Sequence, residues 1–143
     1  MRTLAIDFGE KRIGLAVSDP EGSLAVPLRT LVRKDDRSAA QEIAGIVRQE
    51  GIASLVLGEP LRADGTRGTA AERVRRFARH LTAATGLPVE LIEETLSSVE
   101  AARRLREAGV SARRIRRDPG RLDAVAAQLL LQEHLDRGRA GRR

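Results

Sequence analysis

Cysteine, tryptophan and tyrosine are absent from this 143-residue chain, and histidine occurs only at His80 and His134. Without cysteine there is no disulfide, no thiolate metal site and no cysteine nucleophile. Two histidines argue against a multi-histidine zinc site. Aromatic residues amount to 1%, namely Phe8 and Phe77. A row of aromatic side chains stacking on bases is therefore excluded, and the core must rest on Leu, Ile, Val and Ala. No apolar run approaches the roughly 18 residues of a membrane span, and the N-terminus lacks the basic-then-apolar order of a signal peptide. A cytoplasmic protein with no membrane partner is the expectation.

Positive charge is plentiful. Lys and Arg number 26 against 20 Asp and Glu, a net charge of +6, with lysine only at Lys11 and Lys34. Such a balance points to a polyanionic partner. Its distribution says more than its sum. Between Arg103 and Arg121 stand Arg104, Arg106, Arg113, Arg114, Arg116 and Arg117, opposed only by Glu107 and Asp118. With 41% hydrophobic and 32% charged residues, the composition is that of a globular domain. The length suits one domain, expected over residues 1–137, with 138–143 as a basic flexible tail.

Alternating apolar positions predict strands over 3–8 and 12–18, joined by the turn Gly9-Glu10-Lys11. Leu4, Ile6 and Phe8 then share one face, and Ala5 and Asp7 the other. Residues 24–32 read as a third strand, with Pro27 marking an edge or a bulge. Helices follow in alternation with strands. Ser38 and Gln41 form one capping box, Thr69 and Glu72 a second, Ser97 and Glu100 a third, with Gly51, Gly86 and Gly109 as stops. Strands are expected at 53–58 and 88–94, a glycine-containing loop at 58–68, an arginine-rich loop after Gly109, and a last helix from about Leu122 to Leu135. The order describes an α/β domain. Its mixed five-stranded sheet has the first three strands antiparallel and is flanked by helices.

Three carboxylates stand where such a fold brings strand ends and a helix together. Asp7 ends the first strand, Glu94 the fifth, and Asp123 opens the last helix, with Ala126, Ala127 and Leu130 on its side. If the first and fifth strands are neighbours and the last helix crosses them, the three converge. A bare cluster of this kind repels itself. Hard divalent cations resolve the repulsion, because Mg²⁺ takes carboxylate oxygens, waters and phosphates. Two such ions about 4 Å apart activate water and stabilise the leaving oxygen in phosphodiester cleavage. Plainer readings exist for each residue: Asp before Gly is a common turn, glutamates at a strand end are usually solvated, and Asp near a helix start favours the macrodipole. The joint placement is what favours chemistry.

The segments "IDFGEKRIGLAVSD", "LVLGEPLRADGTRG", "PVELIEETLSS" and "LDAVAAQLLLQEHL" resemble, in order and spacing, the YqgF/RuvX family of RNase H-like nucleases. The resemblance implies an RNase H-like fold and a nuclease dependent on Mg²⁺ or Mn²⁺, with two ions. It implies precursor 16S rRNA maturation, Holliday junction resolution or both, and Asp7, Glu94 and Asp123 as the catalytic and metal-binding set. The family reads Asp-Glu-Arg where this chain has Glu93-Glu94-Thr95, so the arginine after the central carboxylate is missing. Arg12 or an arginine of the 113–117 group is expected to take its place. Nucleic acid, precursor rRNA or branched DNA, is the expected partner. Its phosphates would meet Lys11, Arg12, Arg113, Arg114, Arg116 and Arg117. Gly58, Asp64 and Gly65 are substrate-loop candidates through backbone N–H groups ahead of a helix. Junction cleavage would favour a homodimer. The competing reading is a non-catalytic RNA- or protein-binding module on the same scaffold.

Overall fold

The computed structural model describes residues 1–60, 68–94, 103, 105–109 and 111–140. Its strands are β1 (Arg2–Phe8), β2 (Arg12–Ser18), β3 (Ala25–Val32), β4 (Ile52–Pro60) and β5 (Val89–Glu94). Its helices are α1 (Asp36–Glu50), α2 (Thr69–Thr85), α3 (Ala112–Arg117) and α4 (Pro119–Ala140). The strands form one sheet in the order β3-β2-β1-β4-β5. β1, β2 and β3 pair antiparallel, while β4 joins β1, and β5 joins β4, in parallel. The expected architecture is present, with one correction. β1 and β5 are not neighbours; β4 lies between them, because the crossover through α1 returns beside β1 and the next one continues outward.

The two faces of the sheet differ in side-chain size. On one, Leu4, Ile6, Ile13, Leu15, Leu55 and Leu57 are buried under α1 and α2, which contribute Ile43, Ile46, Val74, Phe77 and Leu81. Phe8 stacks on Phe77 with centroids 4.5 Å apart. On the other, Ala5, Ala16, Ala25 and Val56 meet Ala127 and Leu131 of α4. Alanines on both partners let α4 lie close to the sheet, where it crosses β1, β2 and β3.

Side-chain amides fasten this helix to the edge strand. Gln132 accepts from the Ala25 amide and donates to the Ser23 carbonyl, and Gln128 donates to the Ala25 carbonyl. Pro27 sits opposite Ala16 on this edge, beside a register shift between Leu15 and Ala16, so both meanings of the proline hold.

Helix ends depart from expectation in an instructive way. Gly51 and Gly86 terminate α1 and α2 in the left-handed region at φ 65° and 70°. The N-caps differ. Asp35, not Ser38, caps α1 by accepting from the Ser38 amide at 2.8 Å, and its other oxygen takes the Ser38 hydroxyl. Gly68 precedes α2 with no side-chain cap, so Thr69 is the first helical residue. The third capping box, Ser97 and Glu100, lies outside the described residues. The segment after Gly109 is not simply a loop: Ser111 caps α3 by accepting from the Arg114 amide. Pro119 then opens α4 at a position where its missing N–H costs nothing. α4 is longer at both ends than the 122–135 span expected, and residues 138–140 continue it.

Candidate active site

The site is built on one row of residues crossing the sheet. Asp7 of β1 registers with Gly14 of β2, which registers with Thr30 of β3. The first turns of α4 lie along this row. The Thr30 hydroxyl donates to the Gly120 carbonyl. Gly14 is overlaid so closely that a β-carbon there would stand 2.0 Å from the Asp123 carbonyl oxygen and 2.9 Å from the Ala124 nitrogen. Only glycine fits. Asp123 is thereby seated above the ladder partner of Asp7, on the face that Asp7 shares with Ala5 and Ala16.

Asp123 lies one turn inside α4, not at its first residue, and is about one-quarter exposed. The Arg12 Nε donates to its Oδ2 at 2.7 Å. Among the described residues nothing donates to its Oδ1. Arg12, expected as a phosphate contact or as a substitute for the missing arginine, is thus engaged with a carboxylate of the proposed set, Asp123 rather than Glu94. Lys11, its neighbour in the turn, goes the other way and lines a cleft on the α1–α2 side.

β5 ends in register with β4 as Glu59 to Glu93 and Pro60 to Glu94. Strand alternation puts the Glu94 position on the face of Ile92, which packs with the alanine cluster under α4. Asp7, Asp123 and the Glu94 position therefore share a face and a sheet end, with β4 between the outer two. Among the described residues no group of three or more His, Asp or Glu is close enough to hold a metal ion. The Glu94 side chain is not among those described.

Arg113, Arg114 and Arg117 are exposed on α3, and no ion pair engages them among the described residues. Arg116 has a described backbone in that helix but no described side chain. Gly58 is not a loop residue: it is buried in β4, registered to Ile92. Asp64 and Gly65 lie outside the described residues.

Sequence reading passed over Glu59. It is 2% exposed at the end of β4 and accepts from the Arg75 Nε at 3.0 Å. The signal was available, since Leu55, Leu57 and Glu59 alternate onto the buried face, where a carboxylate requires a cationic or hydrogen-bonding partner.

Comparison with known proteins bears on the family and the fold. The family described as "RuvX: Holliday junction resolvase" matches residues 1–137. Over 136 residues the chain is 46% identical to a protein of Syntrophus aciditrophicus (strain SB) described as "Putative pre-16S rRNA nuclease", covering 95% of this chain and 89% of that one. A protein of Anaeromyxobacter sp. (strain K), described identically, is 47% identical over 137 residues, covering 96% and 98%.

Among solved structures, Thermus thermophilus RuvC in complex with a Holliday junction substrate superposes with a TM-score of 0.61. The identity is 16%, over 99% of this chain and 96% of that one. The Fowlpox virus resolvase in complex with Holliday junction DNA gives a TM-score of 0.54 at 11% identity, over 94% and 99%. At such identities these two likenesses concern the fold. Matched by one family along nearly its whole length, and by relatives approaching half identity, the chain belongs to the RuvX family.

Proposed function

We propose that this chain is a divalent-metal-dependent endonuclease that hydrolyses phosphodiester bonds of structured nucleic acid. Precursor 16S rRNA near its 5′ end is the first substrate class and the four-way DNA junction the second. One observation carries the reading: the Asp123 backbone rests on Gly14, directly across the ladder from Asp7. α4 is pressed onto the sheet with the Asp123 backbone over the ladder partner of Asp7, which supports the reading that the two carboxylates act at one site. The descriptions of the 46–47% identical relatives supply the substrate class.

The donors present suit a hard cation, being carboxylates with no sulfur and no clustered imidazole among the described residues. Asp7, Asp123 and Glu94 are the residues proposed to hold Mg²⁺ or Mn²⁺, two ions in all. When bound, such an ion neutralises the phosphodiester charge and lowers the pKa of a water nucleophile.

The chain's own residues do the positioning. Arg12 holds Asp123 through Oδ2, fixing the carboxylate so that Oδ1 is presented. Gly9 makes the β1–β2 turn tight, since a β-carbon there would stand 2.6 Å from the Arg12 carbonyl oxygen. That tightness fixes where Arg12 begins. The α3 arginines supply cations for the substrate backbone.

Asp7→Asn keeps the shape of the side chain and removes its charge. The expected result is loss of Mg²⁺- or Mn²⁺-dependent cleavage of both a precursor 16S rRNA fragment and a four-way junction, by more than a thousandfold, with Kd for either substrate changed less than threefold. Purified wild-type protein that binds both substrates and cuts neither with any divalent ion would overturn the reading in favour of a binding module.

A further inference from the structure

The face of the sheet opposite α4 carries a second polar feature that the proposed chemistry leaves unused. A cleft of about 450 Å³ opens beyond the end of β1, floored by Phe8 and bounded by the turn, the start of α1 and the α2 residues Arg73 and Arg76. Its charges are ordered. Arg33 donates to Asp36 Oδ1 from both Nε and Nη2, at 2.9 and 2.7 Å, and to the Glu10 carbonyl from Nη1. Its guanidinium also lies 5.5 Å from the Phe8 ring centroid. Arg73 pairs with Glu10. Both acids are therefore answered by an arginine. Lys11 and Arg76 are left without an ion pair among the described residues. Two fixed pairs and two uncommitted cations around a cavity amount to a preformed anion site.

Its position gives the site a purpose. Lys11 and Arg12 are consecutive, yet Arg12 reaches Asp123 on the α4 side and Lys11 lines the cleft on the α1–α2 side. The tip of the β1–β2 hairpin is thus a ridge with Asp123 on one flank and the cleft on the other.

We propose that this cleft binds backbone phosphates of the same nucleic-acid strand whose scissile phosphate lies at Asp7 and Asp123, on the side of the cut remote from the α3 arginines. The proposal rests on the nuclease reading above. The strand passes over the end of the sheet, held by α3 on one side and by Lys11 and Arg76 on the other. The Arg33–Asp36 and Arg73–Glu10 pairs are neutral in sum and hold the walls in place, so the net positive charge of the cleft is that of Lys11 and Arg76. A free mononucleotide would offer too few phosphates to span both flanks; a polynucleotide spans them.

The test is a binding measurement that requires no cleavage. Fluorescein-labelled single-stranded RNAs are titrated against wild type and the double variant Lys11→Gln/Arg76→Gln, with Ca²⁺ in place of Mg²⁺, across a series of salt concentrations. With two phosphates no longer neutralised, the slope of log K against log salt is expected to shallow by about 1.4, at 0.7 per phosphate on a single strand. RNA shortened from one end until it no longer reaches the cleft should bind wild type and variant alike, and RNA shortened from the other end should still distinguish them. An unchanged slope overturns the proposal, as does an equal loss on both shortened RNAs. The single variant Arg76→Gln, exposed on α2, repeats the test with half the slope change should the double variant melt early. Failure of wild type to cut with Mg²⁺ would sink the nuclease reading while leaving this slope readable.

Discussion

Arg12 is the residue whose role changes most between sequence and structure. As a cation in a glycine turn it reads as a phosphate contact, and as a guanidinium 2.7 Å from Asp123 it reads as a positioning residue for a carboxylate. The pair is 41% and 23% exposed, so its net contribution to stability is small, within about 1 kcal/mol for ion pairs open to solvent. Its effect should instead fall on the metal site proposed at Asp123. Arg12→Ala is expected to leave the melting temperature within a few degrees of wild type. It should weaken the apparent Mg²⁺ affinity by about 10–100-fold, the usual cost of losing a partner behind a metal ligand. Arg12→Lys should recover only part, because an ammonium lacks the planar fork that orients a carboxylate. Cleavage rate against Mg²⁺ concentration checks this. Saturation at unchanged Mg²⁺ with a reduced plateau would instead place Arg12 on the substrate.

At the level of elements, the central event is α4 descending onto the alanine face of the sheet. Much of this was legible. The Ala5–Asp7 alternation, the glycine at position 14 and Ala127 mark small-residue contact between a helix and a sheet, whereas Ala126 of the same expected stripe packs instead with Leu105 and Val125. The placement of the Asp123 backbone over the ladder partner of Asp7 follows from those three. The neighbour order was not legible, since nothing in β5 says whether it adds beside β1 or beyond β4; strand order is set by which crossovers fit around the two helical layers. Nor was the start of α1. Asp35 and Ser38 both cap well, and the choice fell to Asp35 because its carboxylate takes the Ser38 amide and hydroxyl together. The α3 helix was hidden because its six residues include four arginines and only one apolar residue beyond Ala112, leaving no stripe to read. Gly14→Ala tests the α4 contact. Its β-carbon would meet backbone rather than a movable side chain, so the helix must retreat. The expected cost is at the upper end of the roughly 1–3 kcal/mol seen for overpacking, with cleavage lost even where the variant remains folded. Chemical denaturation and activity, measured on the same sample, check it. Gly14→Ala with full activity would mean that Asp123 need not sit where α4 puts it.

For the molecule as a whole, charge placement decides how substrate is met. Net charge is +6, yet many arginines are engaged internally: Arg2 on Glu50, Arg12 on Asp123, Arg33 on Asp36, Arg73 on Glu10 and Arg75 on Glu59. The α3 arginines with described side chains are not, among the described residues. Arg113, Arg114 and Arg117 are exposed and carry no ion pair among the described residues, on a helix held at its start by Ser111 and leading through Asp118 into the helix that bears Asp123. A phosphate gripped there is held at a fixed offset from the carboxylates, since α3 is joined to α4 by a single residue. Substitution at exposed sites of this kind ordinarily moves stability by no more than about 0.5 kcal/mol, so binding and folding separate cleanly. Arg114→Glu/Arg117→Glu is expected to weaken a precursor rRNA stem and a four-way junction to a similar degree, because backbone contacts carry no sequence information. The slope of log K against log salt should shallow by about 0.9 for each duplex phosphate no longer neutralised. The melting temperature should hold. A variant that binds more weakly at every salt concentration with the slope intact would mean that these arginines shape the site without touching phosphate. A variant that loses the junction but keeps the rRNA stem would separate the two substrates by geometry, with α3 serving only the branched one.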